Sequence, residues 1–170
     1  MERSKPTLYP GVTVWFRNGR PHRIGGPAIV YDDGGEEWWV NGQRHRDDGP
    51  ALVESGWVKW YKHGQLHRRN GPAVICSDGR KEWWLNGKLH RIGGPAIVGP
   101  DGWEEWWVNG KLHREDGPAV SYSFGLKEWY CNGKLHRTDG PARVWDDGLA
   151  EWWENGKRIK TGRVGKRRKE

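Results

Sequence analysis

Aromatic pairs begin at Trp15, Trp38, Trp60, Trp83, Trp106, Trp129 and Trp152, at intervals of 23, 22, 23, 23, 23 and 23 residues. A fixed period of this length is the mark of a repeat architecture, in which one supersecondary element buries its apolar surface only against its neighbours. Residues 106–128, WWVNGKLHREDGPAVSYSFGLKE, show one full period. Its parts are a Trp, a second aromatic, Asn-Gly, His-Arg, Gly-Pro-Ala, a short apolar run and a closing turn. Six copies are complete, and the seventh ends with Trp152-Trp153-Glu154-Asn155-Gly156. The second copy is one residue shorter, at Glu54-Ser55-Gly56-Trp57.

Glycine and proline are spread so evenly that the longest stretch lacking both is seven residues. An ordinary helix of about 11 residues has no room without a breaker inside it. Helical bundles, coiled coils and Rossmann-type folds are therefore excluded. Fourteen Trp among 170 residues mark an ordered chain despite its scarcity of aliphatic residues, because disordered segments are poor in aromatics.

Each repeat holds two strand-like pieces, Glu105 to Val108 and Pro118 to Ser121 in the copy above. Asn-Gly suits a turn with positive φ. The residue before each Gly-Pro is Gly25, Asp48, Asn70, Gly93, Asp116 or Asp139, all types that tolerate the left-handed region. The expected fold is all-β: an elongated, open-ended antiparallel array of about seven β-hairpin repeats, advancing roughly 10 Å per repeat. Residues 1–13 read as a lead-in, 14–156 as the repeat domain and 157–170 as a flexible basic tail. Neighbouring residues on a strand face opposite ways. The first rings should thus form a Trp column that serves as the core. The second rings, Phe16, Trp39, Tyr61, Trp84, Trp107, Tyr130 and Trp153, should form a column on the other face. That second column is core if the sheet curls, and an exposed partner or self-association surface if it stays single-layered.

The 23-residue period with its Trp, Asn-Gly-Lys, His and closing Asp-Gly resembles the MORN repeat. The likeness is strongest to the variant written N-G-K-L-H-R-x-D-G-P-A, seen in proteins of bacteria, phages and large DNA viruses, and it covers residues 14–156. Acids and paired aromatics precede Asn-Gly here, where the MORN pattern has Tyr and Gly ahead of its Trp. The resemblance implies a hairpin array that scaffolds protein contacts and often self-associates. It also implies an antitoxin-like or inhibitory role for a bacterial or phage member, and it transfers no catalytic residue.

The net charge of +7 equals that of residues 157–170, so residues 1–156 are neutral overall. Within that body the six loops from Asn-Gly to Gly-Pro sum to +7 and the six opposite turns to −10. The repeats should therefore present one basic and one acidic edge. The basic edge carries Arg23, Arg46, Arg68, Arg91, Arg114 and Arg137, with Lys88, Lys111 and Lys134 nearby. Equivalent histidines of adjacent repeats, about 10 Å apart on the strand spacing, cannot share a metal that needs ligand nitrogens near 2 Å. A structural bond from each imidazole to the loop backbone is expected instead, with His63 a turn residue. No Ser or Cys recurs beside His as an activated nucleophile. The sequence thus predicts a non-catalytic chain with no cofactor and no metal. Cys76 and Cys131 occupy non-equivalent positions, which suits a reduced, cytoplasmic protein (host cytoplasm if viral). No apolar run approaches the roughly 20 residues of a membrane span, and the N-terminus does not read as a signal peptide.

The expected function is a binding scaffold for a macromolecular partner, foremost a protein. The contact residues would be Trp39, Tyr61, Trp84, Trp107, Tyr130 and Trp153 with the Arg/Lys edge. The alternative is a nucleic-acid or nucleotide binder using that edge, stacking rings and residues 157–170.

Overall fold

A computed structural model describes residues 4–165. They contain no helix, hence none long and apolar enough to cross a membrane. The described residues form two compact halves, divided between Lys88 and Leu89. Each half is an all-β array of antiparallel hairpins whose sheet does not close on itself. In the N-terminal half the sheet runs Lys5–Tyr9, Val12–Arg17, Ile29–Tyr31, Glu36–Glu37, Leu52–Glu54, Trp57–Lys59, Val74–Cys76 and Lys81–Glu82. The C-terminal half runs Ile97–Val98, Glu104–Glu105, Val120–Ser121, Lys127–Glu128, Arg143–Val144, Leu149–Glu154 and Lys157–Arg163.

Each repeat also builds a second hairpin that its sequence does not announce. The piece expected as one strand, Glu105 to Val108, changes partner at Trp106. Glu104–Glu105 belong to the main sheet, whereas Trp107–Val108 form a two-stranded ladder with Lys111–Leu112. The Trp106 N–H donates to the Ala119 carbonyl at 2.7 Å, and its own carbonyl accepts from the His113 N–H at 2.9 Å. The same switch occurs at Trp15, Trp38, Trp60 and Trp129. Asn-Gly, or His63-Gly64 in the third repeat, closes each side hairpin with two positive φ values, 52° and 78° at Asn109 and Gly110, which is the type I′ geometry that matches strand twist. Successive side hairpins are joined by backbone bonds, such as Gly133 N–H to the Leu112 carbonyl and Gly156 N–H to the Leu135 carbonyl. The position before Gly-Pro differs from expectation. Gly25 and Gly93 take positive φ, but Asp48, Asn70, Asp116 and Asp139 do not.

The buried centre is not the Trp column. The fully covered hydrophobic residues are alanines: Ala28, Ala51, Ala73, Ala96, Ala119 and Ala142 of the six Gly-Pro-Ala segments, and Ala150, each 0% exposed. Leu52, Val74, Ile97 and Val120 accompany them, and no larger side chain is fully buried. Both aromatic columns are half-buried. The reason is thickness: a sheet without a second layer cannot cover an indole, but an indole can cover a methyl group. Trp106 stands directly across the ladder from Ala119, on the same face.

Both ends of the repeat domain extend further than the sequence suggests. Lys5–Tyr9 pairs along its whole length with Val12–Arg17. The basic segment expected to be flexible from Lys157 begins as a seven-residue strand, Lys157–Arg163, paired with Leu149–Glu154. The seventh Asn-Gly, with φ of 50° and 81°, reverses the chain onto its partner whatever charge follows. Residues 166–170 of the expected tail lie outside the described residues.

Candidate functional site

Most of the ionisable side chains of the repeat are committed to the fold. The Nδ1 atoms of His22, His45, His67, His90, His113 and His136 accept a backbone N–H from the next repeat's turn. The donors are Asn41, His63, Asn86, Asn109, Asn132 and Asn155, at 3.0–3.3 Å. Each imidazole thus holds the left-handed residue of the following turn, an N–H that the hairpin itself leaves without a backbone partner. His63 is the turn residue of its own repeat, with φ of 49°, and its ring lies 4.5 Å from that of His45.

The arginines after these histidines are clamps. The guanidinium carbons of Arg23, Arg46, Arg68, Arg114 and Arg137 lie 3.7–4.2 Å from the ring centroids of Trp15, Trp38, Trp60, Trp106 and Trp129. In each, Nη1 also donates to the carbonyl of the downstream proline, as Arg91 does to Pro95 at 3.0 Å. Arg46, Arg114 and Arg137 add an Nε bond to Asp48, Asp116 and Asp139, which are the acids that precede Gly-Pro. The outer faces of these five indoles are therefore occupied by the chain's own cations.

The second column is fastened from below. The indole N–H groups of Trp39, Trp84, Trp107 and Trp153 donate at 2.7–2.9 Å to Glu37, Glu82, Glu105 and Glu151, two residues earlier on the same face. Glu37 and Glu151 are buried, and burial pushes their carboxyls up. Donors from Arg44, Trp39 and Tyr31 on Glu37, and from Trp153 and Arg158 on Glu151, outweigh it and hold both below the ordinary carboxylate value. Tyr61 lies under the Arg44 guanidinium, 5.6 Å from its ring centroid. The Tyr130 hydroxyl is pushed up by burial and by the Glu128 charge.

Other groups remain available. Lys88 in the N-terminal half, and Lys111 and Lys134 in the C-terminal half, stand exposed on the side hairpins. These lysines form no ion pair among the described residues. The structure also exposes apolar residues that the repeat pattern did not single out. Ile24 and Ile92 are each 74% exposed on loops where other copies carry Asp47, Arg69, Glu115 or Thr138. Phe124 is 66% exposed at a turn tip where other copies carry Asp33, Asp78, Asp101 or Asp147. Aligning the copies and asking which position turns apolar in one of them would have found all three.

Open grooves lie between successive loops. In the C-terminal half one of about 590 Å³ is lined by residues including His113, Arg114, Tyr130, Cys131, His136 and Arg137. A second, of about 490 Å³ between the Arg46 and Arg68 loops, belongs to the N-terminal half. No group of three His, Cys, Asp or Glu side chains among the described residues is placed to hold a metal ion. Both cysteines are free thiols. Compared with models of protein families and with curated proteins, the chain matches none.

Proposed function

We propose that the chain is a non-catalytic repeat scaffold that binds a protein partner along the loop edge of its repeats. The observation that carries this reading is the exposure of Ile24 and Ile92, one in each half, on loops whose other copies manage with polar residues. An isoleucine there leaves most of its surface in water, and it is available to a contact that excludes water from its side chain. Lys88 in one half, and Lys111 and Lys134 in the other, supply the polar rim that protein interfaces carry. Trp39, Tyr61, Trp84, Trp107, Tyr130 and Trp153 contribute the half-exposed parts of their rings. Such a scaffold acts by occupancy, as an inhibitor or antitoxin-like protein does, and needs no reacting group.

A second reading, binding of a polyanion, is favoured by a different observation. The exposed strand Lys157–Arg163 holds Lys157, Arg158, Lys160 and Arg163 and no acid. Against it, the arginine row is spent on indoles and carbonyls, and the indole faces it covers cannot stack a base. Affinity capture from the source cell with the intact chain and with I24D and I92D variants separates the two. The expected result is a protein held equally between about 50 and 200 mM salt, a range over which phosphate contacts weaken steeply, and lost from the variants. Retention of nucleic acid that falls away with salt and survives both substitutions would overturn the protein reading.

A further inference from the structure

We propose that the C-terminal half carries, on its turn edge, a docking ledge for an arginine-bearing basic segment of a partner protein, formed by Trp103, Tyr122 and Phe124 between Asp101 and Asp146. The ledge lies at the opposite end of the strands from the loop edge, so it stands independently of the contact proposed above.

The three rings form one stack. Trp103 and Tyr122 have centroids 6.2 Å apart with planes inclined by 29°, and Tyr122 and Phe124 are 5.0 Å apart at 14°. The inner end of the stack is built in: the Trp103 indole lies over Gly99, where a Cβ would fall inside the ring. The outer end is Phe124, open to solvent. At this turn position four of the other five complete copies carry aspartate, Asp33, Asp78, Asp101 and Asp147. Asp33, Asp78 and Asp147 accept the N–H of Gly35, Arg80 and Leu149, two residues on. A phenyl ring forfeits that bond and exposes apolar surface as well. The stack on Tyr122 covers one side of the ring and leaves most of it in solvent, where it is open to a contact from outside the chain.

The surroundings say what that is. Carboxylates flank the Phe124 turn on both sides. Ser123 Oγ donates to Asp101 at 2.5 Å, and a Cβ on Gly125 would come within 2.6 Å of the Asp146 Cβ. The hydrogen bond from Ser123 holds the Asp101 carboxyl below the ordinary aspartate range. By sequence the turns 99–105 and 145–151 carry −3 each and the turn between them is neutral. Asp147 is paired with Arg163, and Glu151 with Arg143 and Arg158. That leaves Asp101, Glu104, Glu105 and Asp146 as the acids of these two turns without an ion pair among the described residues. Glu105, whose charge acts on the Tyr122 phenol, forms no ion pair among the described residues. Asp101 and Asp146 offer acceptors without donors, and the Ser123 hydroxyl is already spent on Asp101. The Tyr122 hydroxyl and the Trp103 indole N–H can also donate, but the charge beside the open Phe124 ring is carboxylate on both sides, which favours a cationic ligand made of donors over a neutral one. The planar guanidinium is such a ligand, and it can stack on a ring while pairing with a carboxylate at its edge. The chain uses the same chemistry internally: Arg114 covers the Trp106 ring at 3.8 Å while bonding Asp116.

The test uses the full chain with a fluorescein-labelled peptide of alternating arginine and glycine, read by anisotropy at low salt. The same peptide with lysine for arginine and a neutral oligosaccharide serve as comparisons. The arginine peptide should bind, tighter than its lysine counterpart. Phe124→Ser should weaken it about 3- to 10-fold, the range expected for losing one partly desolvated cation–π contact. D101N/D146N should weaken it and flatten its salt dependence. I24D, on the other edge, should leave it unchanged. Because D101N/D146N alters exposed groups only, it decides the matter even if the Phe124 variant loses structure by near-ultraviolet dichroism. The proposal is overturned if the arginine peptide does not bind, or if both ledge variants bind it as the intact chain does. It is also overturned if the oligosaccharide proves to be the ligand lost with Phe124, or if sedimentation shows Phe124→Ser dissolving a self-associated form that takes no peptide.

Discussion

Replacing Arg114 by alanine tests whether the arginine row belongs to the fold or to a recognition stripe. Its guanidinium lies 3.8 Å from the Trp106 ring centroid, and it donates to the Pro118 carbonyl at 3.3 Å and to Asp116 at 2.8 Å. The stack contributes about 0.5–1 kcal/mol at a partly exposed site. The charge-assisted bond to the Pro118 carbonyl adds about 1 kcal/mol at this long distance. The pair with Asp116 is fully in water and adds nothing that survives screening. Uncovering Trp106 and the alanine beside it adds a further fraction, so Arg114→Ala should destabilise by roughly 2 kcal/mol. Arg114→Lys keeps the charge but loses the planar stack and the simultaneous bonds, and should recover less than half. Asp116→Asn should stay close to the parent. Urea denaturation followed by tryptophan fluorescence gives the midpoints, and near-ultraviolet dichroism reports the ordering of Trp106. If lysine restores the parent midpoint, or if Asp116→Asn costs as much as Arg114→Ala, charge alone matters and the clamp is refuted.

Three further outcomes follow from the same geometry. Trp107→Phe should cost about 1–2 kcal/mol, because it removes the N–H that Glu105 accepts at 2.7 Å. Trp106→Phe should cost less, because the buried Trp106 Nε1 has no hydrogen-bond partner to lose; a reversed order in urea midpoints contradicts this. Asn132→Ala should lower stability by about 1–2 kcal/mol, since its φ of 50° suits asparagine but not alanine. Asn132→Gly should be nearly neutral when the two variants are compared by thermal melting. Glu37 and Glu151 are held below the ordinary value of 4.5 in the folded chain. Their contribution to stability is therefore complete above that pH and is lost as pH falls through the folded values. Urea midpoints measured from neutral to acidic pH should stay level to about 5 and drop below 4.5. In Glu37→Gln the drop should be shallower, and an unchanged drop would show that other carboxylates set the acid limit.

The period, the absence of helices among the described residues, the antiparallel hairpins and the seven positive-φ turns were all legible in the sequence. They depend on local rules: Gly and Pro spacing leaves strands as the only regular choice, and Asn-Gly carries its own geometry wherever it stands. The backbone role of the histidines was legible for the same reason, because a residue recurring once per period answers a need that every repeat shares. What covers what was not local. Trp106 switches partner between Ala119 and His113 only because the neighbouring repeat supplies both, and that switch creates the side hairpins. Whether an indole is core or cover depends on the presence of a second layer, so alanine rather than tryptophan became the buried centre. Arg114 and Lys111 look equivalent as charges along one edge. Folding lays the first on Trp106 and leaves the second in water, because the arginine is within reach of both a ring and a free carbonyl. The Trp103, Tyr122 and Phe124 stack joins residues of two different turns, a proximity that register alone decides.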